Sequence, residues 1–140
     1  MGDWLFGCDV CQEVCPWNRR APPGREPQLL PAAGMNPVDL VGLFGLSDAA
    51  FRRRFRPTVL WRQRRRGILR NAAIVLGNRP SRRAGPALTQ GLNDPEPVVR
   101  AACAWALGRS GLRAAGRALA ARRALEEDPE VRHEIEKCPR

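Results

Sequence analysis

Apolar residues recur every three or four positions through most of the chain after residue 37, and polar residues fill the positions between them. Phe51 and Phe55 lie four apart, and the run from Ile68 to Leu76 keeps the same spacing. This spacing places apolar side chains on one face of an α-helix and polar side chains on the other. With its capping and turn residues, the pattern predicts helices over residues 38–44, 47–56, 59–76, 86–92, 98–107 and 112–125, and a last helix that begins at Val131.

The predicted helices fall into repeating pairs. The stretch Ile68–Gly77 recurs loosely as Val99–Gly108, 31 residues later, and Asp94-Pro95 recurs as Asp128-Pro129, 34 residues later. Helix pairs that repeat every 30–45 residues or so indicate an α-solenoid, in which neighbouring pairs share a core. The repeats resemble HEAT-type sequence. The predicted shared core contains Leu69, Ala72, Leu76, Val99, Ala102, Trp105 and Leu107.

Three of the five cysteines lie close together near the N-terminus, at Cys8, Cys11 and Cys15, with Pro16 directly after them. The spacing C-x2-C-x3-C-P matches the end of the bacterial ferredoxin run, whose last cysteine binds the other cluster in two-cluster ferredoxins. We therefore predict [4Fe-4S] ligands, with Cys8 and Cys11 on one cluster and Cys15 on a second. Thiolates also suit zinc, so a zinc half-site remains an alternative. The odd cysteine count argues against a disulfide framework.

The cysteine count is too small for two complete clusters. Two four-iron clusters need about eight thiolates, and Cys103 and Cys138 lie far from the motif in helical patterns. We expect at least one more cysteine run upstream. The apolar stretch at Trp4–Phe6 also leads straight into the motif, so we expect this chain to be the C-terminal piece of a longer enzyme.

The expected organisation has three parts. Residues 1–20 form the C-terminal part of a two-cluster, ferredoxin-like 4Fe-4S domain, and residues 21–36 form a connector rich in proline and glycine. Residues 37–140 form the HEAT-like repeat domain. The expected fold class is therefore mainly α: a short ferredoxin-like segment followed by an α-solenoid. No run of 18 apolar residues is present, so no membrane span is expected.

The charge pattern indicates a polyanionic partner. The net charge is +10 and the isoelectric point is about 11.2, which favours nucleic acid as the partner. Between residues 52 and 70 there are nine arginines and no acidic residue, interleaved with apolar residues of predicted helices. A block of like charge can also be a solvated face. The predicted RNA-binding residues are Arg52, Arg53, Arg54, Arg62, Arg64, Arg65, Arg66 and Arg70.

Two stretches together resemble one known family. Gly2–Asn18 closely resembles the second cluster motif of epoxyqueuosine reductases, and Arg64–Asn78 resembles the first long helix of that family's C-terminal HEAT-like domain. The resemblance covers nearly the whole chain. It is highly specific in the cysteine motif and less specific in the repeats.

The resemblance implies an enzyme that reduces epoxyqueuosine to queuosine in the anticodon stem-loop of tRNA, using cobalamin and two 4Fe-4S clusters. It implies that Cys8, Cys11 and Cys15 are cluster ligands. In the family, the cobalamin domain, the first cysteine run and the catalytic acid lie upstream, so no catalytic residue can be placed on this sequence. We expect a cytoplasmic monomer.

Two alternatives remain open from the sequence. The chain could be a basic HEAT-like module that binds RNA or an acidic protein, without redox chemistry. It could instead belong to a different two-cluster, ferredoxin-type electron-transfer protein with appended repeats. An upstream cysteine run would favour either redox interpretation over the binding module.

Overall fold

The computed structural model describes residues 2–22, 24, 26–27 and 34–138. Much of the predicted connector therefore lies outside the described residues. The chain divides into two units. One unit joins the N-terminal residues through Phe6 to the chain from Leu40 onward, and the other is Gly7–Asp39. The predicted domain boundaries remain predictions.

The smaller unit contains the cysteine motif. Its helical elements among the described residues are helix α1, Val10–Glu13, and a 3-10 turn, Asn18–Arg20. Gly7 has φ +78°, in the left-handed region that glycine enters without a steric penalty. The described residues show no ferredoxin-like element, so the ferredoxin-like description of residues 1–20 remains a prediction.

The larger unit is helical throughout the part that the structure describes, which confirms the mainly α fold class. Ser47 caps its second helix and accepts a hydrogen bond from the backbone N–H of Ala50 at 3.2 Å, as the sequence predicts. Asp128 caps the last helix and accepts from Val131 at 3.1 Å. The helices are α2 Leu40–Leu43, α3 Asp48–Phe55, α4 Arg64–Asn78, α5 Ala84–Gly91, α6 Pro97–Gly108, α7 Arg113–Leu125 and α8 Pro129–Glu136.

The helices stack as expected for a solenoid. Helix α4 packs against α6 and α6 packs against α8, while α5 and α7 form a second layer against α6. Five predicted core residues are buried, whereas Leu76 and Trp105 are only half-buried. Alanines 72, 73, 102, 104 and 106 allow the close approach of α4 and α6, since a small side chain keeps the helix axes near each other.

Several predicted helix boundaries are wrong, including the starts of α5 and α8, which each lie two residues earlier than predicted. The helix predicted over 59–76 is split into a 3-10 turn, Val59–Gln63, and α4. Arg64 has φ +57°, which interrupts a right-handed helix. The turn buries Leu60 and brings the ring centroids of Trp61 and Phe51 to 6.3 Å. Packing against α3 therefore stabilises the turn more than a continuous helix would. The first helix begins at Leu40, two residues later than predicted.

Among the described residues, no helix combines the length and the apolar character that crossing a bilayer requires.

Candidate cluster ligands and nucleic-acid interface

The three cysteines of the motif are free thiols with access to solvent. Cys8 and Cys11 are exposed and Cys15 is half-buried. Cys11 lies on α1, and the carbonyl of Cys15 accepts the backbone N–H of Asn18 at 3.1 Å. Free, accessible thiols are the donors that iron–sulfur clusters use. The donor chemistry therefore fits a cluster, although three thiolates do not complete one.

Within the described ranges, no three His, Cys, Asp or Glu side chains come together in an arrangement that could hold a metal ion. The other two cysteines have packing roles. Cys103 is fully buried, and burial raises the pKa of its thiol far above the ordinary value. Cys138 is half-buried, and its Sγ lies 3.4 Å from the carbonyl oxygen of Ala104. Neither thiol extends the motif.

Several of the predicted RNA-binding arginines line two clefts on α3 and the start of α4. Arg52, Arg64 and Arg66 line a cleft of about 310 Å³ that also contains Trp61. Arg52 and Arg53 line a second, shallower cleft of about 460 Å³ with Arg56. We call the exposed residues Arg52, Arg53, Arg54, Arg62, Arg64 and Arg66 of the predicted set, together with the exposed Arg56, the arginine face.

Two predicted arginines have internal contacts instead. Arg65 Nη2 lies 2.7 Å from Asp94 Oδ2, and Arg65 Nε donates to the carbonyl of Leu46 at 3.1 Å. Arg70 donates from Nε and Nη2 to Asn71 Oδ1, at 3.0 and 2.8 Å. The structure therefore ties Arg65 and Arg70 to internal partners, although Arg65 also lines the 310 Å³ cleft, beside the carboxylates of Asp48 and Glu96.

The tryptophans of the repeats are partly covered by arginines. The guanidinium carbon of Arg64 lies 4.3 Å from the Trp61 ring centroid, and that of Arg109 lies 5.1 Å from the Trp105 ring centroid. Both rings are half-buried. The sequence predicts a core position for Trp105, whereas the structure places both tryptophans at the core boundary as cation–π partners.

A buried carboxylate joins the last three helices. Glu126 is 1% exposed, and it accepts hydrogen bonds from Arg100 at 2.8 and 2.9 Å and from Arg122 at 2.8 Å. Burial by itself would raise the pKa of Glu126, but these bonds outweigh it and lower that pKa to about 2. The ionised carboxylate of Glu126 therefore forms part of the packed junction between α6, α7 and α8.

Sequence reasoning missed the residues that hold the N-terminal segment against α4. Asn71 Nδ2 donates to the carbonyl of Leu5, and Asn78 Nδ2 donates to the carbonyl of Gly2, both at 2.8 Å. Arg79 forms an ion pair with Asp3. Asn71 is buried within an otherwise apolar helix face, and a polar residue at such a position was the available signal.

Comparison with known proteins agrees with this architecture. The sequence model of HEAT repeats matches residues 62–138. Epoxyqueuosine reductase from Bacillus subtilis (strain 168) is 34% identical over 139 residues, which cover 98% of this chain and 36% of that protein. The enzyme from Listeria monocytogenes is 35% identical over 137 residues, with 96% and 36% covered.

A solved structure is similar over the same extent. A crystal structure of epoxyqueuosine reductase with an epoxyqueuosine-modified tRNA-Tyr stem loop superposes with a TM-score of 0.88 at 34% identity, covering 97% of this chain and 36% of that one. The chain thus spans about a third of the length of these relatives, and it matches their C-terminal part. It belongs to the HEAT-repeat family, and nearly its whole length is similar to the C-terminal part of epoxyqueuosine reductases.

Proposed function

We propose that this chain is the C-terminal part of an epoxyqueuosine reductase, an iron–sulfur enzyme that reduces epoxyqueuosine to queuosine in tRNA. The observation that carries the proposal is the near-complete match, in sequence and fold, to a reductase solved with a modified tRNA stem loop. The chain would contribute cluster ligands and an RNA-binding surface. The cobalamin site and the catalytic acid would lie in the rest of the protein, and the enzyme would work in the cytoplasm.

The cluster ligands would be Cys8, Cys11 and Cys15. Their donor type and spacing fit the end of a two-cluster cysteine run. When bound, such clusters pass single electrons to a reducible substrate. Val10, Val14 and Trp17 are all exposed in the cysteine segment, and a group of exposed apolar side chains often marks an interaction surface. That exposure supports a neighbour that covers the cysteine segment in the complete enzyme.

The RNA-binding surface would be the arginine face. Guanidinium groups bind phosphate oxygens through two parallel hydrogen bonds. Stems of RNA are recognised mainly through backbone and shape, so exposed arginines on folded helices suit a stem loop. Gln63 makes no side-chain cap at the start of α4, and the positive end of the helix dipole there, beside Arg64 and Arg66, favours an anion. Arg65 and Arg70 would support the surface without contacting phosphate.

The ligand assignment is tested by metal analysis of the native full-length protein. Cys8→Ala and Cys11→Ala are each expected to lower iron and acid-labile sulfide to about half, through loss of one of two clusters. Cys15→Ala is expected to damage the other cluster. Cys138→Ala, outside the motif, serves as the control and should retain full content. Unchanged iron and sulfide in all three motif variants would contradict the assignment.

A further inference from the structure

The N-terminal segment from Gly2 to Leu5 lies along helix α4, where two hydrogen bonds hold it. Asn71 and Asn78 are seven residues apart, so they lie on one helix face, about 10 Å apart along the axis. They hold the carbonyls of Leu5 and Gly2 respectively. The later residue of the segment, Leu5, meets the earlier helix residue, Asn71, and Gly2 meets Asn78. The segment from Gly2 to Leu5 therefore runs antiparallel to α4, in register with two successive asparagines.

The two asparagines are suited to this task because their amide groups can donate hydrogen bonds. Arg70 donates twice to Asn71 Oδ1, which fixes the side-chain orientation and directs Nδ2 towards Leu5. Asn71 is 6% exposed, so its donor has little access to water. An isosteric carboxylate would keep the bonds from Arg70 but would offer no donor to the Leu5 carbonyl.

We infer that α4 is a platform that fixes the backbone immediately before the cysteine motif, with Asn71 and Asn78 as positioning residues. Leu5 lies three residues ahead of Cys8 in the sequence. Residues that support a metal ligand set its orientation and reduce its freedom. The inference rests on the proposed function only for the role of Cys8. The platform itself stands on contacts within the helical unit.

The test compares Asn71→Asp and Asn78→Asp with Asn93→Asp in the native full-length protein. Asn93 is exposed, and its Oδ1 accepts a weak bond from Arg122 at 3.4 Å, which a carboxylate retains. Hydrogen exchange is followed in the peptide that contains residues 2–6. Loss of one of the two asparagine donors is expected to raise the hydrogen-exchange rate of residues 2–6 about tenfold. Asn93→Asp is expected to leave that peptide unchanged.

A second readout addresses the role in positioning. The electron paramagnetic resonance spectrum of the reduced cluster is expected to broaden in Asn71→Asp and Asn78→Asp, but not in Asn93→Asp. Asn78 is exposed, so its variant is expected to fold even if Asn71→Asp does not. Unchanged exchange at residues 2–6 in Asn78→Asp would overturn the platform. Faster exchange with an unaltered spectrum would overturn the positioning role. The exchange result does not depend on RNA binding or turnover, so it separates this inference from the proposed function.

Discussion

Arg65 Nη2 lies 2.7 Å from Asp94 Oδ2, so an arginine in the first turn of α4 binds the carboxylate at the turn before α6. The Asp94 side chain is 4% exposed, and its other oxygen accepts the backbone N–H of Glu96 at 3.1 Å. The pair therefore connects two successive repeats at their corner. An arginine that belongs to a basic block by sequence is, in the structure, part of the interior.

Arg65→Ala is expected to lower the free energy of unfolding by roughly 3 kcal/mol, because it leaves the Asp94 carboxylate buried without its partner. Urea denaturation monitored by circular dichroism measures this change. Arg53→Ala, on the exposed surface of α3, is the control and is expected to change stability by less than about 0.5 kcal/mol. Equal stability of the two variants would show that the Arg65–Asp94 pair contributes nothing.

Gly77 marks the closest approach of α4 and α6. A Cβ atom there would lie 2.5 Å from the Trp105 ring and 2.9 Å from the Cα of Ala106. Gly77→Ala is therefore expected to destabilise the fold by about 1–3 kcal/mol through overpacking. Gly116→Ala, in α7, meets no atom within 4 Å and is expected to stabilise by up to about 1 kcal/mol. Thermal unfolding of both variants decides the point, and a stabilised Gly77→Ala protein would refute the close packing.

Glu126 and its two arginine partners are expected to make the free energy of unfolding depend on pH. The pKa of Glu126 falls from an ordinary 4.5 to about 2 in the folded state, so the folded protein binds fewer protons than the unfolded chain between these values. The contribution, about 3 kcal/mol, is present above pH 4.5 and is lost as the pH falls towards 2. Arg100 and Arg122 are the charged groups that bond this carboxylate, and the backbone N–H of Asp128 also donates to it at 3.0 Å.

Urea denaturation at several pH values measures this effect. Glu126→Gln is expected to be less stable at neutral pH and to lose less stability than the wild type between pH 4.5 and 2. Glu136→Gln, whose carboxylate pairs with Arg123 at the surface, serves as the control and is expected to keep the wild-type slope. Parallel curves for the Glu126→Gln variant and the wild type would contradict the lowered pKa.

Much of the helical fold could be predicted from the sequence because local signals and tertiary packing agree there. The Ser47 cap, the glycines at helix ends and the spacing of apolar residues all mark the same elements. Prediction failed where contacts distant in sequence decide the outcome. Residues 59–63 leave the helical path because Leu60 and Trp61 pack towards α3, and no local pattern reports that contact.

The candidate site shows the same division. The cysteine spacing and the exposed arginines follow from the sequence, since both depend on neighbours along the chain. The internal roles of Arg65 and Arg70 do not follow from it. Asp94 approaches Arg65 only in the folded protein, and Asn71, which accepts from Arg70, binds the Leu5 carbonyl only there. The basic block thus contains residues of two kinds, which only the packing distinguishes.

The central claim, that the arginine face binds the tRNA stem, is tested by reversing charge at two of its members. Arg52 and Arg66 line the same cleft and are exposed, so Arg52→Glu with Arg66→Glu should leave the fold intact. Arg65 is left unchanged because replacing it would leave Asp94 buried without its partner and destabilise the fold. The matched control is Arg113→Glu with Arg117→Glu, the same change in charge on the exposed surface of α7.

The decisive measurement is the affinity of the full-length protein for a tRNA stem loop at several salt concentrations. For the double variant in the cleft, we expect weaker binding, and a slope of log K against log salt that is shallower by roughly 0.7–0.9 for each phosphate that the variant no longer neutralises. The α7 control is expected to keep nearly the wild-type slope. Equal affinities and slopes for the two double variants would contradict the claim and would leave the arginine face as a solvated surface.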